Sequence, residues 1–289
     1  MRHFLTVILL YFLTGLPLPA WSLDSFKLDF EEGFQLNKAD VAGKASLKLR
    51  GPARDFDFTI DAGTQYDVWV DAIHAAGGGR SLALKIYSDK DENVKDKIEL
   101  NVVKHYDPER VRLGDNISHY LSFDFMLDPK YETPKSWVLH VQVWQCCGMN
   151  PPFAIFVAPN TARNGDVEFR FVVRDDTEQR KDAAASAGKE VYRMNIARGE
   201  WNNMIIKMDP SDDDDTKEGR LAMWYNGSLQ FDYRGDWGYT PGQIAKKHNK
   251  EMLPDMAIKV GIYRRRQATT QILYFDNIRV GTTYDSVAK

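Results

Sequence analysis

The chain contains a series of short segments rich in β-branched and aromatic residues, and turn residues separate most of them. The predicted strands are 25–30, 45–49, 56–60, 66–72, 82–87, 97–103, 118–127, 137–145, 153–157, 167–174, 204–207, 220–225, 228–233, 256–263 and 271–280. Asn226-Gly227 adds a hairpin signal, because a two-residue type I′ turn requires positive φ at both central positions. Helix signals are sparse, and the Ala-rich segment 182–189 is at most a short helix or a loop. The sequence therefore predicts an all-β sandwich of antiparallel sheets.

The N-terminus has the three parts of a secretory signal peptide. Met1-Arg2-His3 is a basic start, residues 4–16 form an apolar run, and Ala20-Trp21-Ser22 offers small residues for cleavage. The apolar run is too short to span a bilayer comfortably, and no other segment approaches the required length. We therefore expect a signal peptide over 1–22 and a secreted or periplasmic mature protein without a membrane span. A membrane-tethered form is the alternative.

The remainder, 23–289, has no Pro-, Gly- or Ser-rich linker and is interpreted as a single domain, which we expect to be a monomer. Its adjacent cysteines, Cys146 and Cys147, do not make a disulfide framework, because neighbouring cysteines bridge only through a strained ring. The formal net charge of -3 gives no global attraction to polyanions, which argues against a nucleic-acid partner. An anionic ligand would have to meet a local basic patch.

The predicted strand 137–145 has two faces of different character, since side chains alternate sides along a strand. One face is apolar, with Trp137, Leu139, Val141 and Val143, and the other carries His140, Gln142 and Trp144. An imidazole, an amide and an indole in a row suit sugar recognition, because rings stack on pyranoses while amides bind hydroxyls and carboxylates. A half-exposed sheet face without a ligand is the alternative interpretation.

Two further strands repeat this division into an apolar face and a polar or cationic face. In the strand near 257–265, Ile258, Val260 and Ile262 alternate with Lys259, Gly261, Tyr263 and Arg265. In 167–174, Val167, Phe169, Phe171 and Val173 alternate with Glu168, Arg170, Val172 and Arg174. If the polar faces of these strands line one sheet, they form a basic groove; otherwise they are simply solvated.

Several short motifs, taken in order, resemble those of the β-jelly-roll polysaccharide lyases. They are Asp29-Phe30-Glu31-Glu32-Gly33, Gly79-Arg80-Ser81-Leu82, Arg110 with Arg112, Gln142-Val143-Trp144, Pro151-Pro152-Phe153, Glu200-Trp201-Asn202, Trp224-Tyr225-Asn226-Gly227, Gly261-Ile262-Tyr263-Arg264 and the run from Tyr274 to Gly281. The nearest group is that of heparin lyase I and glucuronan lyase, with alginate lyases more distant. The resemblance implies a concanavalin-like jelly roll of two antiparallel sheets.

The resemblance also implies β-elimination from a uronate-containing acidic polysaccharide. Such a reaction needs a group that neutralises the uronate carboxylate, a base for the C5 proton and an acid for the leaving oxygen. By motif, Gln142 is the neutralising group and Tyr263 the acid or base, with His140 the first candidate for an imidazole base and His105 the second. Implied substrate-binding residues are Arg110, Arg112, Trp144, Arg170, Arg174, Lys259 and Arg265. No cofactor is required, and a structural calcium near Glu31 and Asp276 is suggested by analogy.

Two positions depart from the family pattern. Many relatives have Gln-x-His where this chain has Gln142-Val143-Trp144, and Arg-x-Glu-Leu where it has Arg110-Val111-Arg112-Leu113. These changes leave open an altered substrate, a tyrosine that is both base and acid, or a non-catalytic carbohydrate-binding protein. A retaining hydrolase on a similar sandwich is disfavoured, because the chain has no Glu-x-Asp-x-x-Glu strand.

Overall fold

The strands form two antiparallel sheets in the computed structural model, which describes residues 26–31, 33–41, 44–91, 94–145, 149–159, 165–175, 188–211, 217–240 and 254–288. The back sheet contains, in spatial order, Ser228–Arg234 (β16), Arg220–Tyr225 (β15), Asn202–Asp209 (β14), His119–Leu127 (β9), Gln271–Gly281 (β18), Ser81–Ile86 (β6) and Tyr66–Asp71 (β5), with Phe26–Leu28 (β1) paired to β18. The groove sheet contains Lys189–Ile196 (β13), Val167–Val173 (β12), Phe153–Val157 (β11), Val138–Gln145 (β10), Asp255–Arg265 (β17), Lys95–Val103 (β7), Asp55–Ile60 (β4), Lys44–Arg50 (β3) and Gln35–Val41 (β2), with Val111–Arg112 (β8) paired to β17. One short helix, Tyr284–Val287 (α1), follows the last strand.

The apolar faces of the two sheets meet in one continuous core. Ile258, Val260 and Ile262 of β17 are fully buried in it, together with aromatic side chains of the back sheet such as Phe123 and Phe275. Burying these faces removes apolar surface from water, which is the main favourable contribution to folding. The predicted all-β jelly-roll sandwich is confirmed.

The hairpin predicted from Asn226-Gly227 is also confirmed. Asn226 has φ 48° and Gly227 has φ 79°, and the two residues join β15 to β16. Both angles lie in the left-handed region, which glycine and asparagine adopt at the lowest cost.

Three strands were missed by the sequence interpretation: the two-residue β8 and the edge strands β2 and β13. β2 and β13 each form hydrogen bonds to one neighbour only, and β13 is exposed along much of its length. A strand that buries little surface needs no strong apolar alternation, so its sequence, Lys-Glu-Val-Tyr-Arg-Met-Asn-Ile, carries a weak signal. Residues 182–187 of the Ala-rich segment lie outside the described residues, whereas Lys189 begins β13.

The predicted signal peptide, 1–22, lies outside the described residues, as do Cys146 and Cys147. In the described part of the chain, none of the helices is long and apolar enough to cross a membrane.

Candidate active site

Strand β10 departs from the regular alternation on which its predicted faces were based. Its register against both neighbouring strands shifts between Leu139 and Val141. Because an irregularity of this kind changes the side to which the following residues point, His140 and Val141 both face the core while Gln142 faces the outside. The predicted common face of His140 and Gln142 is therefore wrong. Leu139 and Trp137, expected in the core, line an outer groove instead.

His140 is buried with both ring nitrogens in hydrogen-bonding contacts. Its Nδ1 lies 2.9 Å from the carbonyl oxygen of Gly261, and its Nε2 lies 2.9 Å from the Tyr131 hydroxyl. Burial lowers the pKa of His140 to about 4, so the ring is neutral near neutral pH. In this position His140 supports the core and does not share the site with Gln142.

Strand β17 keeps its predicted faces. Lys259, Tyr263 and Arg265 point outward, while the residues that alternate with them are buried in the core. Lys259 lies directly opposite Gln142 of β10, and Tyr263 lies opposite Leu139. Gln142 and Tyr263 therefore project from adjacent strands onto the same face, about three residues apart along the strand, or roughly 10 Å.

Strand β7, on the other side of β17, contributes groups that the sequence analysis missed. Lys97, Glu99 and Asn101 face outward opposite Tyr263, Gly261 and Lys259, respectively. The Gln142 side-chain nitrogen donates a hydrogen bond to Glu99, and Lys97 Nζ lies 4.1 Å from the centre of the Tyr263 ring. The alternation of Lys97, Glu99 and Asn101 with apolar residues was the signal that could have identified this face.

His105 lies beside Trp144 of β10. The two rings are 4.9 Å apart, and Lys259 Nζ lies 4.5 Å from the Trp144 ring centre. His105 Nδ1 is 3.0 Å from the Asp255 carbonyl oxygen, which fixes the proton on Nδ1, since a carbonyl only accepts. Its Nε2 is buried and has no hydrogen-bond partner among the described residues. Burial and the Lys259 cation lower the pKa of His105.

A groove of 620 Å³ continues from Tyr263 toward β11 and β12. Phe156 and Leu139 supply apolar lining, and Arg170 and Arg174 also line it. Arg170 forms ion pairs with Glu168 and Glu190, at 2.7 and 3.7 Å. Arg174 is buried, donates to the Pro151 carbonyl oxygen and lies over the Phe156 ring.

The other predicted substrate-binding arginines lie at opposite ends of the site. Arg110 and Arg112 are held near His105 by Asp255, with N–O distances of 2.7 and 3.9 Å. Arg265 is exposed at the other end, two residues beyond Tyr263. The structure thus brings Gln142, Tyr263 and Lys259 together and leaves these arginines at the margins.

Glu31 and Asp276, the predicted calcium ligands, lie in a small group of carboxylates. Glu31 accepts the backbone N–H of Arg80, and Asp276 accepts that of Ala76 at 3.0 Å. Burial, with Asp124 and Glu31 nearby, raises the pKa of Asp276 to about 7. No group of three or more His, Cys, Asp or Glu side chains in the described ranges has a metal-binding arrangement. The structural calcium stays a prediction.

The polysaccharide lyase family model matches residues 48–279, and the chain belongs to this family. The protein is therefore a polysaccharide lyase.

Solved structures provide a separate comparison of the fold. An endo-β-1,4-glucuronan lyase from the fungus Trichoderma reesei is similar, with 14% identity over 79% of this chain and 92% of that chain and a TM-score of 0.57. The alginate lyase AlyC3 has 13% identity over 69% of this chain and 74% of its own, with a TM-score of 0.44. A comparison with the curated proteins found no match.

Proposed function

We propose that the protein cleaves a uronate-containing acidic polysaccharide by β-elimination in the groove over β10, β17 and β7. The observation that supports this proposal is the placement of Gln142 and Tyr263 on one sheet face, with Lys97 and Lys259 beside them. An amide donor, a phenol and two cations are the groups that this reaction needs around an anionic sugar.

Gln142 and Lys259 neutralise the uronate carboxylate. The C5 proton of a uronate is too weakly acidic to be removed while the adjacent carboxylate is fully charged. A hydrogen-bond donor and a nearby cation lower this barrier, because they stabilise the negative charge that develops as the proton leaves. The two residues face each other in register, so both can approach one carboxyl group.

Tyr263 serves as both base and acid. After its own proton has passed to water, the Tyr263 oxygen accepts the C5 proton, the C–H electron pair forms the C4–C5 double bond, and the C4–O bond breaks. The same hydroxyl then returns the proton to the departing glycosidic oxygen, so that atoms and charge balance. Tyr263 is partly exposed and lines the groove, as this role requires.

Neither histidine candidate has a nitrogen open to the groove. Both nitrogens of His140 are in hydrogen-bonding contacts in the interior. His105 carries its proton on Nδ1, so its Nε2 could accept a proton, but Nε2 is buried beside Trp144. A base must reach its proton at hydrogen-bond distance, and Tyr263 is the partly exposed candidate that lines the groove.

The proposed location is outside the cytoplasm. The signal sequence predicted over 1–22 supports export to the medium or the periplasm, where polymeric substrates are accessible. We expect the exported chain to act as a monomer, with no nucleic-acid partner.

The test is a substrate panel. Purified mature protein is incubated with glucuronan, alginate and a sulfated glycosaminoglycan while ultraviolet absorbance of the unsaturated uronate is followed. We expect absorbance to rise with one polymer, since only elimination creates this chromophore. New reducing ends without absorbance would indicate hydrolysis, and binding without either product would indicate a non-catalytic carbohydrate-binding protein.

A further inference from the structure

Glu99 is a buried acid on the outward side of strand β7, the same side as Gln142 of β10. Its side chain points to the outer side of the sheet, yet the residue is only 1% exposed. One carboxyl oxygen accepts the hydrogen bond from Gln142, and the other has no partner among the described residues. Burying a carboxyl group with so few hydrogen bonds is costly, so its presence at this position calls for a physical role.

The contact between Glu99 and Gln142 crosses strand β17 beside a glycine. The two residues lie on the strands that flank β17, and Gly261 of β17 is directly opposite Glu99. A Cβ atom on Gly261 would lie 2.3 Å from the carbonyl oxygen of Ile98, and the glycine has φ +150°. Any other residue would therefore be strained here. The absence of a side chain leaves space in which Gln142 and Glu99 meet across the middle strand.

This contact selects one orientation of the Gln142 amide. A primary amide has an NH₂ end that donates and an oxygen that only accepts, and a carboxyl oxygen facing it binds the NH₂ end. One N–H donates to Glu99, and we assign the second to a ligand; Gln142 is only 2% exposed, so a ligand must approach it closely between the surrounding side chains. The reversed amide would place its oxygen against the Glu99 oxygen, where two acceptors repel each other.

We propose that Glu99 is a positioning residue, which holds Gln142 so that the second N–H of its amide faces the substrate carboxylate. The proposal rests on the proposed uronate elimination and names a residue on which the function of Gln142 depends. Preorganised donors are more effective than mobile ones, because their orientation costs nothing at the moment of reaction.

The charges around Glu99 are compatible with this role. Lys97 of β7, Lys259 of β17 and Asp61, which follows β4, act on its carboxyl group. Burial raises the pKa of Glu99, while the two lysines oppose that shift. Gln142 can donate to the carboxyl group in either protonation state, since a carbonyl oxygen also accepts.

The test is a double-mutant cycle with Glu99→Ala, Gln142→Ala and the double variant, measured as unsaturated product formed. Glu99→Ala should lower kcat by on the order of tenfold or more and change KM little, because the misplaced donor acts in the transition state. In the Gln142→Ala background the same substitution should cause no further loss, since the amide that it positions is absent. Glu99→Gln, which keeps an acceptor oxygen of similar reach, should recover part of the rate.

Asp128→Asn is the matched control. Asp128 is a buried acid directly after β9 of the back sheet, and it accepts a hydrogen bond from the Tyr274 hydroxyl. Any effect of this substitution should be equal in both backgrounds. If Glu99→Ala does not fold at the assay temperature, Glu99→Leu takes its place in the cycle.

The outcomes separate this proposal from the proposed function. An active wild type in which Glu99→Ala slows both backgrounds equally would assign Glu99 a purely structural role and overturn the proposal. An active wild type that is unaffected by Glu99→Ala would overturn it too. A wild type inactive on every uronate polymer would reject the elimination itself and, with it, the proposal that depends on it.

Discussion

Strands β7 and β17 carry two clusters of buried charge that are constructed differently. In the arginine cluster, Asp96 forms ion pairs with Arg264 at 3.2 Å and with Arg266 at 2.9 Å. The Arg264 guanidinium also donates to the Thr269 and Tyr87 carbonyl oxygens. In the groove cluster, three residues further along β7, Glu99 has no ion pair within the described part of the chain.

The difference shows how one pair of strands can serve both stability and ligand binding. Buried charges that are paired and hydrogen-bonded hold the fold together, because removing one partner leaves the other uncompensated. Glu99 and Lys259 are buried with their pairing incomplete, and burial lowers the pKa of Lys259 as it raises that of Glu99. An anionic ligand beside Lys259 would improve this balance. We therefore expect the arginine cluster to determine stability and the groove cluster to determine activity.

The largest effect should come from the groove. Tyr263→Phe removes only the phenolic hydroxyl, so the elimination rate should fall about a hundred- to ten-thousand-fold, the usual contribution of general acid–base catalysis. Polymer affinity and the unfolding midpoint should change little. The control is Tyr192→Phe, which loses a hydroxyl bonded to Gln230 on β16 and should keep the wild-type rate. A Tyr263→Phe variant with normal turnover would return the role of base to His105.

The next effect should be on stability. Asp96→Asn leaves the buried Arg264 without its anionic partner and Arg266 with Asp89 alone, and should lower the free energy of unfolding by about 3–5 kcal/mol. Urea denaturation of the variant, compared with Glu99→Gln on the same strand, measures this difference. Glu99→Gln should lower stability by less, because Glu99 has no ion pair to lose in the described structure. Equal destabilisation by both substitutions would remove the distinction between the clusters.

A smaller effect concerns pH. Burial lowers the pKa of Lys259. As the pH rises, Lys259 therefore loses its positive charge at a lower pH than an ordinary lysine does. Polymer binding should weaken as the pH rises through that value. Lys259→Arg should extend binding to higher pH, because guanidinium stays protonated. Lys207→Arg on the back sheet is the control and should not move the binding curve. A wild-type curve that coincides with that of Lys259→Arg would contradict the prediction.

The smallest effect should be that of salt. Between 0.1 and 1 M salt the screening length falls from about 10 to about 3 Å, so attraction between exposed groove cations and an acidic polymer weakens. We expect a several-fold loss of affinity, measured by titration calorimetry at both salt concentrations. Affinity that did not depend on salt would favour stacking on Trp144 as the main source of binding.

The fold was largely predictable because its signals are local. The alternation in β17 and β12 assigned their core and outer faces correctly, since side-chain direction in a regular strand follows from backbone geometry alone. The Asn226-Gly227 turn was predictable for the same reason. Edge strands such as β13 bury too little surface to leave a comparable pattern.

The site was only partly predictable, because its composition depends on register and on strand order. Sequence alone selected Gln142, Lys259 and Tyr263. A single glycine inside a strand, such as Gly261, often marks a bulge or the close approach of a neighbouring backbone, so this position could have been recognised as irregular. The sequence could not show the irregularity in β10 that places the His140 side chain in the core.

Sequence by itself determined most of the strands and which face of most of them is apolar. The tertiary structure decided that Glu99 meets Gln142 across Gly261, that His105 packs on Trp144 and that Asp96 pairs with two arginines. These contacts join residues far apart in the chain. The pairing of distant strands and the position of an irregularity are set by the packing of the whole sandwich, which no local pattern of residues specifies.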